Sequence, residues 1–322
     1  MKRYAVWIPA LVLMLVCGAP LRAAGYPDKP VRIVVPYPPG GTVDQLARLL
    51  AQQLSSQAGV AFIVDNRAGA SGVIGSHHVA QSPPDGLTLL LQATTFVINP
   101  LITTNSPYDV RKDFTPVSYL GSTPMLVVAN PSMPVDDFSG FARLLRDNPG
   151  KHSLGAPAVG ALGHLAEEAI RREAGLDFLI VPYKGTAPML NDVAGNHVSA
   201  GIEAMPALLP LLRAGKLKAL AVTSGQRVPQ LPGVPTVAES GLPGFDMVSW
   251  YGLWAPAGLP PAILQRLSAL VTQALRAPQI VQPMAEQGLQ IQASTPQALG
   301  ARVQAETTRY QALVKAANIR VD

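Results

Sequence analysis

Apolar positions along the chain alternate between two kinds of run. Short, mostly β-branched runs at residues 31–35, 60–64, 87–91, 125–129, 178–181, 198–202 and 217–222 read as strands buried on both faces. Stripes at helical spacing lie between most of them. Leu46, Leu49, Leu50 and Leu54 mark one helix. Leu165, Ala166, Ala169 and Ile170 mark another within residues 163–174, and Ile263, Leu264, Leu267, Leu270, Val271 and Leu275 a third within residues 261–275. Strands alternating with helices predict an α/β fold of parallel-rich sheets built through crossovers, with ligands bound beyond the carboxyl ends of the strands. Two longer extended runs interrupt this rhythm, VSYLGSTPMLVVAN at 117–130 and MVSWYGLWAPAG at 247–258. They read as two passages of the chain between lobes, a hinge of two strands around a cleft.

The junction after the first strand carries the most chemical information. In VRIVVPYPPGGTVDQLARLL (31–50), Pro36, Pro38 and Pro39 end the ladder by removing backbone donors. Gly40 and Gly41 let the backbone bend and approach a ligand closely, and Thr42 or Asp44 can cap the helix that follows. The opening N–H groups of such a helix have no internal partners, and its dipole favours a carboxylate or phosphate there. The same residues also suit an ordinary strand-to-helix turn. Two further loops repeat the pattern. PYKGTAP (182–188) adds the Lys184 cation before a helix, and SLGAPAVGALGH (153–164) is small and flexible before the next. With the lobes facing one another, a molecule carrying an anionic group at each end could bridge the first loop and the other two.

Composition narrows the setting. Lys2 and Arg3, the apolar stretch 6–17 and the small residues Ala23 and Ala24 predict a secretory signal peptide over residues 1–24, and therefore export to the periplasm. That apolar stretch is too short for a spanning helix. Cys17 is the single cysteine, and Val16 before it is bulkier than lipid attachment favours; a mature chain from Gly25 would have no thiol for disulfides, nucleophilic catalysis or metal binding. The 25 basic and 20 acidic residues become 22 and 20 once Lys2, Arg3 and Arg22 are removed. So small an excess, without basic clusters interleaved with aromatics, argues against nucleic acid as a partner. The 298 residues from Gly25 onward suit two α/β lobes, and the 31 prolines and 28 glycines punctuate apolar runs as in a folded chain.

Motifs for chemistry are missing. GASGV (69–73) lacks the last glycine of a nucleophile elbow, no serine stands three before a lysine, and no Gly-Lys-Ser/Thr loop occurs. GASGVIG (69–75) does not have dinucleotide-fingerprint spacing, and the adjacent His77 and His78 point to different helix faces. The weight falls on binding without catalysis, and no cofactor or metal is expected.

A set of segments, taken in order, goes further than any one loop. YPDKPVRIVVPYPPGGTVDQLAR (26–48), VDNRAGASGVIG (64–75), INP (98–100), GHLAEE (163–168), VPYKGTAPML (181–190), AGKLKALAVTS (214–224), LPGVPTVAESGLPGF (231–245) and GLWAPAGLP (252–260) resemble the extracytoplasmic solute receptors of tripartite tricarboxylate transporters, the Bug family. The resemblance implies a two-lobed, type II-like periplasmic-binding fold, with lobe 1 at 25–124 plus 248–322 and lobe 2 at 125–247. It also implies a small carboxylate as ligand, whether a di- or tricarboxylate, an acidic amino acid or an aromatic acid, with delivery to membrane permease subunits and a monomeric receptor.

Carried over residue by residue, the first-lobe site would be Tyr37, Pro38, Gly40, Gly41, Thr42 and Asp44, and the second Tyr183, Lys184, Gly185, Thr186 and Pro188 with Gly160, Ala161 and His164. Thr94 and Thr95 would add hydroxyls. The chain departs from the family at Ala161, where Ser or Thr is common, and at Ile202-Glu203-Ala204, where many members carry Phe-Asp. Glu203 is thereby a candidate on the second jaw. Several candidates have structural readings beside the functional one. Asp44 and Arg48, one helical turn apart, suit a cap or surface pair, Lys184 a solvated charge, His164 local bonding, and Trp250 and Tyr251 hinge packing. Asn66 and Arg67 suit fixing the turn before Gly69. A ligand-presenting partner of a membrane signalling protein uses the same cleft and is the alternative role; a periplasmic hydrolase is a third.

Overall fold

The computed structural model describes residues 25–321, so the expected signal segment and Cys17 lie outside the described residues. The first strand, β1 (Val31–Val35), is buried at every position but Arg32. It lies between β2 (Phe62–Asn66) and β3 (Thr88–Ala93), parallel to both. Helix α1 (Thr42–Ala58) crosses between β1 and β2, burying Leu46, Leu50 and Leu54 at four-residue intervals, and ends where Gly59 turns left-handed at φ 70. Helix α2 (Val73–Ala80) follows β2, and its approach depends on glycine. A Cβ at Gly75 would lie 2.7 Å from Pro36, and one at Gly72, where φ is +94, would lie 2.5 Å from Gln92. The GASGVIG run therefore serves close packing of α2 behind the end of β1. Helix α3 (Thr95–Ile102) leaves β3 directly.

The next strand, β4 (Phe114–Ala129), is 16 residues long and crosses the molecule. Its first half pairs antiparallel with β9 (Val248–Pro256), from Phe114 opposite Pro256 to Pro124 opposite Val248, and its second half pairs with β7 (Ala200–Ala204) and β8 (Lys218–Val222). Both extended passages expected from the sequence are thus one paired ribbon. Gly121 does not break the strand; it sits at a register shift with φ +149, and the unpartnered nitrogen of Pro124 falls where pairing with β9 ends.

The second half of the chain repeats the parallel scheme. Strand β5 (Ser153–Ala156) lies between β6 (Leu179–Pro182) and β7, parallel to both. Helices α4 (Phe138–Asp147), α5 (Leu162–Glu173), α6 (Thr186–Ala194) and α7 (Met205–Arg213) connect these strands. After β9 come α8 (Pro261–Ala274), α9 (Pro278–Glu286), the two-residue β10 (Gln290–Ile291) on β4, and the long α10 (Pro296–Ala317). The strand order β2-β1-β3-β9-β4-β7-β5-β6, with β8 and β10 also on β4, makes one mixed sheet. One expectation is corrected by this order: residues 178–181 form not a fully buried strand but an edge, where Leu179 is 64% exposed. The parallel pairing falls within the two outer groups, with β9 running against its neighbour β3 and β4 against its neighbour β7.

Three apolar clusters hold the sheet. One lies under β1, α1 and α8, a second joins Leu126 and Val128 to α6 and α7, and the largest runs from Val34 and Phe96 through Val127 to Leu154 and Ile202. Its aromatic centre sits on the hinge: the Phe96 ring lies 4.7 Å from Trp254 and 4.8 Å from Phe114. Helix α10 braces the ribbon from outside, where the Arg302 guanidinium lies 4.8 Å from the Tyr119 ring and 5.9 Å from Trp250. Among the described residues no helix is long and apolar enough to cross a membrane.

Gly121 is the most constrained point of the ribbon, since a Cβ there would lie 2.4 Å from the Gln290 carbonyl oxygen. Gly121→Ala is expected to destabilise the protein by about 1–3 kcal/mol, measured as a lowered urea midpoint at unchanged slope.

Candidate functional site

Register alone brings the predicted loops face to face. Strand β3 ends at Ala93, opposite Tyr251 of β9, which in turn faces Gly121 of β4; β7 ends at Ala204, opposite Met125 of β4. Because β9 reverses β3 and β4 reverses β9, β3 runs with β4 while β7 runs against it. The carboxyl ends of the two parallel groups therefore point at one another. The stretch of β4 between Gly121 and Met125 separates them by four residues, about 13 Å at the rise of an extended strand.

On the first jaw the loop after β1 is held by a network of buried polar groups. Asp44, 2% exposed, accepts from the Gly40 N–H at 2.9 Å, from Arg48 Nε at 2.9 Å and from Asn66 Nδ2 at 2.8 Å. Asn66 Nδ2 also donates to the Tyr37 carbonyl at 3.1 Å. Burial pushes the Asp44 carboxyl up, but the bonds from Arg48, Gly40 and Asn66 together with the Arg48 charge outweigh it and hold the group below the ordinary value of 3.8. The Tyr37 hydroxyl bonds to Gln92 Oε1 and Thr95 Oγ1; burial raises it to about 12 against the pull of those two bonds.

The N-cap of α1 is Gly41, and neither Thr42 nor Asp44 caps that helix as expected: no side chain bonds its opening N–H groups, and Asp44 reaches back past the cap to Gly40. Elsewhere, α4 and α10 do carry capping side chains, Asp137 and Thr295. A Cβ at Gly41, whose φ is an ordinary −76, would meet nothing within 4 Å. Pro38 is exposed beside this open helix end.

The second jaw is built differently. Ala161 is the N-cap of α5 in extended backbone and has no hydroxyl to offer, so this helix too opens without a capping side chain. His164 Nδ1 accepts from the Gly160 N–H at 2.9 Å, which fixes that nitrogen as the unprotonated one; burial lowers the ring's pKa and keeps it neutral. Gly160, at φ +74, fits against Ile102 of α3. The Gly185 N–H donates to the Pro157 carbonyl at 2.8 Å, while Lys184 and Pro188 are exposed. Thr186 Oγ1 donates to Glu203 Oε2 at 2.6 Å, and the Ala204 N–H donates to Glu203 Oε1 at 2.6 Å. Burial raises the Glu203 carboxyl above its usual range despite both bonds.

Two expected hydroxyls lie elsewhere. Thr94 is 1% exposed and bonds the backbone of Trp250, accepting from its N–H at 2.8 Å, so it ties β3 to the hinge strand instead of facing the cleft. The Tyr183 hydroxyl donates to Asp192 Oδ2 at 2.7 Å. Two buried residues stand beside the strand ends. Gln92, not singled out from the sequence, is fully buried and orients Tyr37, and Tyr251, read from the sequence as hinge packing, lies in the hinge ribbon opposite Ala93 and Gly121. The only prior signal for Gln92 was its place near a strand end.

The arrangement is that of a solute-binding receptor: an α/β periplasmic-binding fold with two facing sets of strand ends and open helix N-termini at the gap. A profile described as the tripartite tricarboxylate transporter family receptor matches residues 46–319, and the chain belongs to that family. It is 36% identical over 300 residues to protein BugT of Bordetella pertussis, covering 92% of each chain. It is similar in structure to Rpa4515 of R. palustris with adipate, at 37% identity and TM-score 0.82, covering 92% of this chain and 99% of that one. MatC of Rhodopseudomonas palustris, with bound malate, is 31% identical with TM-score 0.76, over 90% of this chain and 100% of the other.

Two substitutions test the local account. Because its lowered carboxyl pKa contributes stability above 3.8 that is lost as the pH falls through the folded-state value, Asp44→Ala should cost about 1–3 kcal/mol at neutral pH, with the difference from the parent narrowing in acid. Urea titrations at pH 7 and pH 3.5 measure both. Ala161→Ser places a hydroxyl at an N-cap already in the right backbone region and should stabilise the unliganded protein by about 0.5–2 kcal/mol in the same measurement.

Proposed function

We propose that this receptor captures a small carboxylate between residues of the first loop and those of the second jaw, and delivers it to the membrane permease subunits of a tripartite tricarboxylate-type transporter in the periplasm. The observation that carries the reading is the opening of α1 at Gly41: no side chain caps it, and Arg48 neutralises the nearest acid. Backbone N–H groups held this rigidly need little reorganisation to accept a carboxylate. Similarity to proteins seen with adipate and malate supports a carboxylate ligand.

The lobes would be residues 25–124 plus 248–322 and residues 125–247, as two of the apolar clusters suggest, one confined to each span. In this reading Gly41, Thr42 and Thr95 line the first side. Ala161, Thr186 and Glu203 line the second, Asp44, Asn66 and His164 hold the loops in shape, and Lys184 adds positive charge at the rim that raises capture without contact. The role is binding and release, with closure favoured by contacts to both lobes at once.

Gly41→Val tests the reading, since its side chain would enter open space at the helix end without straining the backbone. Calorimetric titration with a panel of small carboxylates should show binding lost while the thermal midpoint of the unliganded protein stays unchanged. Undiminished affinity in a folded variant would remove the loop from the site.

A further inference from the structure

The two jaws differ in charge, and the difference selects one end of the ligand. On the first jaw Asp44, the only buried acid there among the described residues, is matched by three hydrogen bonds, from Gly40, Asn66 and the Arg48 guanidinium. On the second jaw, Glu203 stands at the end of β7, and no salt bridge among the described residues involves it. Its two hydrogen-bond partners, Thr186 and the Ala204 N–H, engage one lone pair on each oxygen and leave the others available. Glu167 of α5 is fully buried and takes part in no salt bridge among the described residues. Glu168 is already matched by two bonds from Arg171 at 2.9 and 2.7 Å. Lys184 is exposed, and no salt bridge among the described residues involves it. Glu203 is the next-to-last residue of β7, whose carboxyl end points at the gap; its carboxylate is bonded to Thr186 at the start of α6, and the carbonyl of Ile202 before it packs against Gly163 at the start of α5.

A second carboxylate placed here would meet an unmatched acid. A purely cationic end would satisfy Glu203 but leave nothing for the opening N–H groups of α5, which no side chain caps. A group with both a donor and an acceptor answers both. We infer that Glu203 makes the second jaw selective for acids whose far end is a neutral donor and acceptor, a carboxamide, over diacids of the same length. The ligand would be an ω-amide of a short dicarboxylic acid, its carboxylate on the α1 jaw, its N–H₂ to Glu203 and its carbonyl to α5. This rests on the proposed function, which supplies the carboxylate end.

The test is calorimetric titration at pH 7.5 with three matched pairs, succinate and succinamate, glutarate and glutaramate, adipate and adipamate, on purified full-length receptor and on Glu203→Gln. In the best-fitting pair the monoamide should bind about tenfold or more tightly than the diacid, as expected for one added hydrogen bond to a charged group. Glu203→Gln, which keeps an oxygen to accept from Thr186 or Ala204 but presents an amide, should abolish or reverse that ratio. A diacid that binds the parent as tightly as its monoamide overturns the inference, and the parent result alone decides this if the variant fails to fold. Binding of the diacids with no preference leaves the proposed function standing, whereas binding of neither series overturns both.

Discussion

Antiparallel pairing of β4 with β9 is the constraint on which the rest depends. β4 alone is long enough to belong to both halves of the sheet, and β9 fixes its register against β3. Once that register is set, the outer parallel groups must run toward one another, and the loops at their carboxyl ends have nowhere to project but into the same gap. The ribbon is correspondingly guarded. Trp250 and Trp254 are buried on one face, Arg302 lies over Tyr119 and Trp250, Thr94 bonds the Trp250 backbone, and Gly121 gives way to Gln290. Each of these contacts lies in or on the ribbon that sets the separation of the jaws.

Within that frame the jaws are prepared in opposite senses. The first presents backbone donors and cancels its own acid, so its potential toward the gap is that of a helix N-terminus. The second combines another open helix end with Glu203, an acid hydrogen-bonded by neutral groups only and partly removed from water. In the proposed reading one side would fix a carboxylate irrespective of what is attached to it, and the other would discriminate among the attachments.

Much of this was legible in the chain, for identifiable reasons. The first strand, its loop and the start of α1 lie within twenty residues, so a local pattern of β-branched, Pro/Gly and Leu positions suffices to place them. The hinge runs stood out because neither strand length nor helical period fits them. What escaped depends on distant partners. Asn66 reads as a turn residue until folding brings it to Asp44 and Tyr37, and Gln92 reads as one polar interruption of a strand until Tyr37 arrives from 55 residues away. Thr94 and Tyr183 show the converse: a hydroxyl beside a strand end suggests a ligand, and the fold brings Trp250 and Asp192 to bond with them. The edge position of β6 follows from strand order, which apolar pattern alone does not encode.

In the proposed reading one ligand touches both jaws, and backbone amide resonances followed through a titration with the tightest-binding small carboxylate measure this directly. Amides of residues 42–44 and those of residues 162–164 should shift together, with a single dissociation constant. Shifts confined to one of these segments, or to a surface away from both, would contradict it.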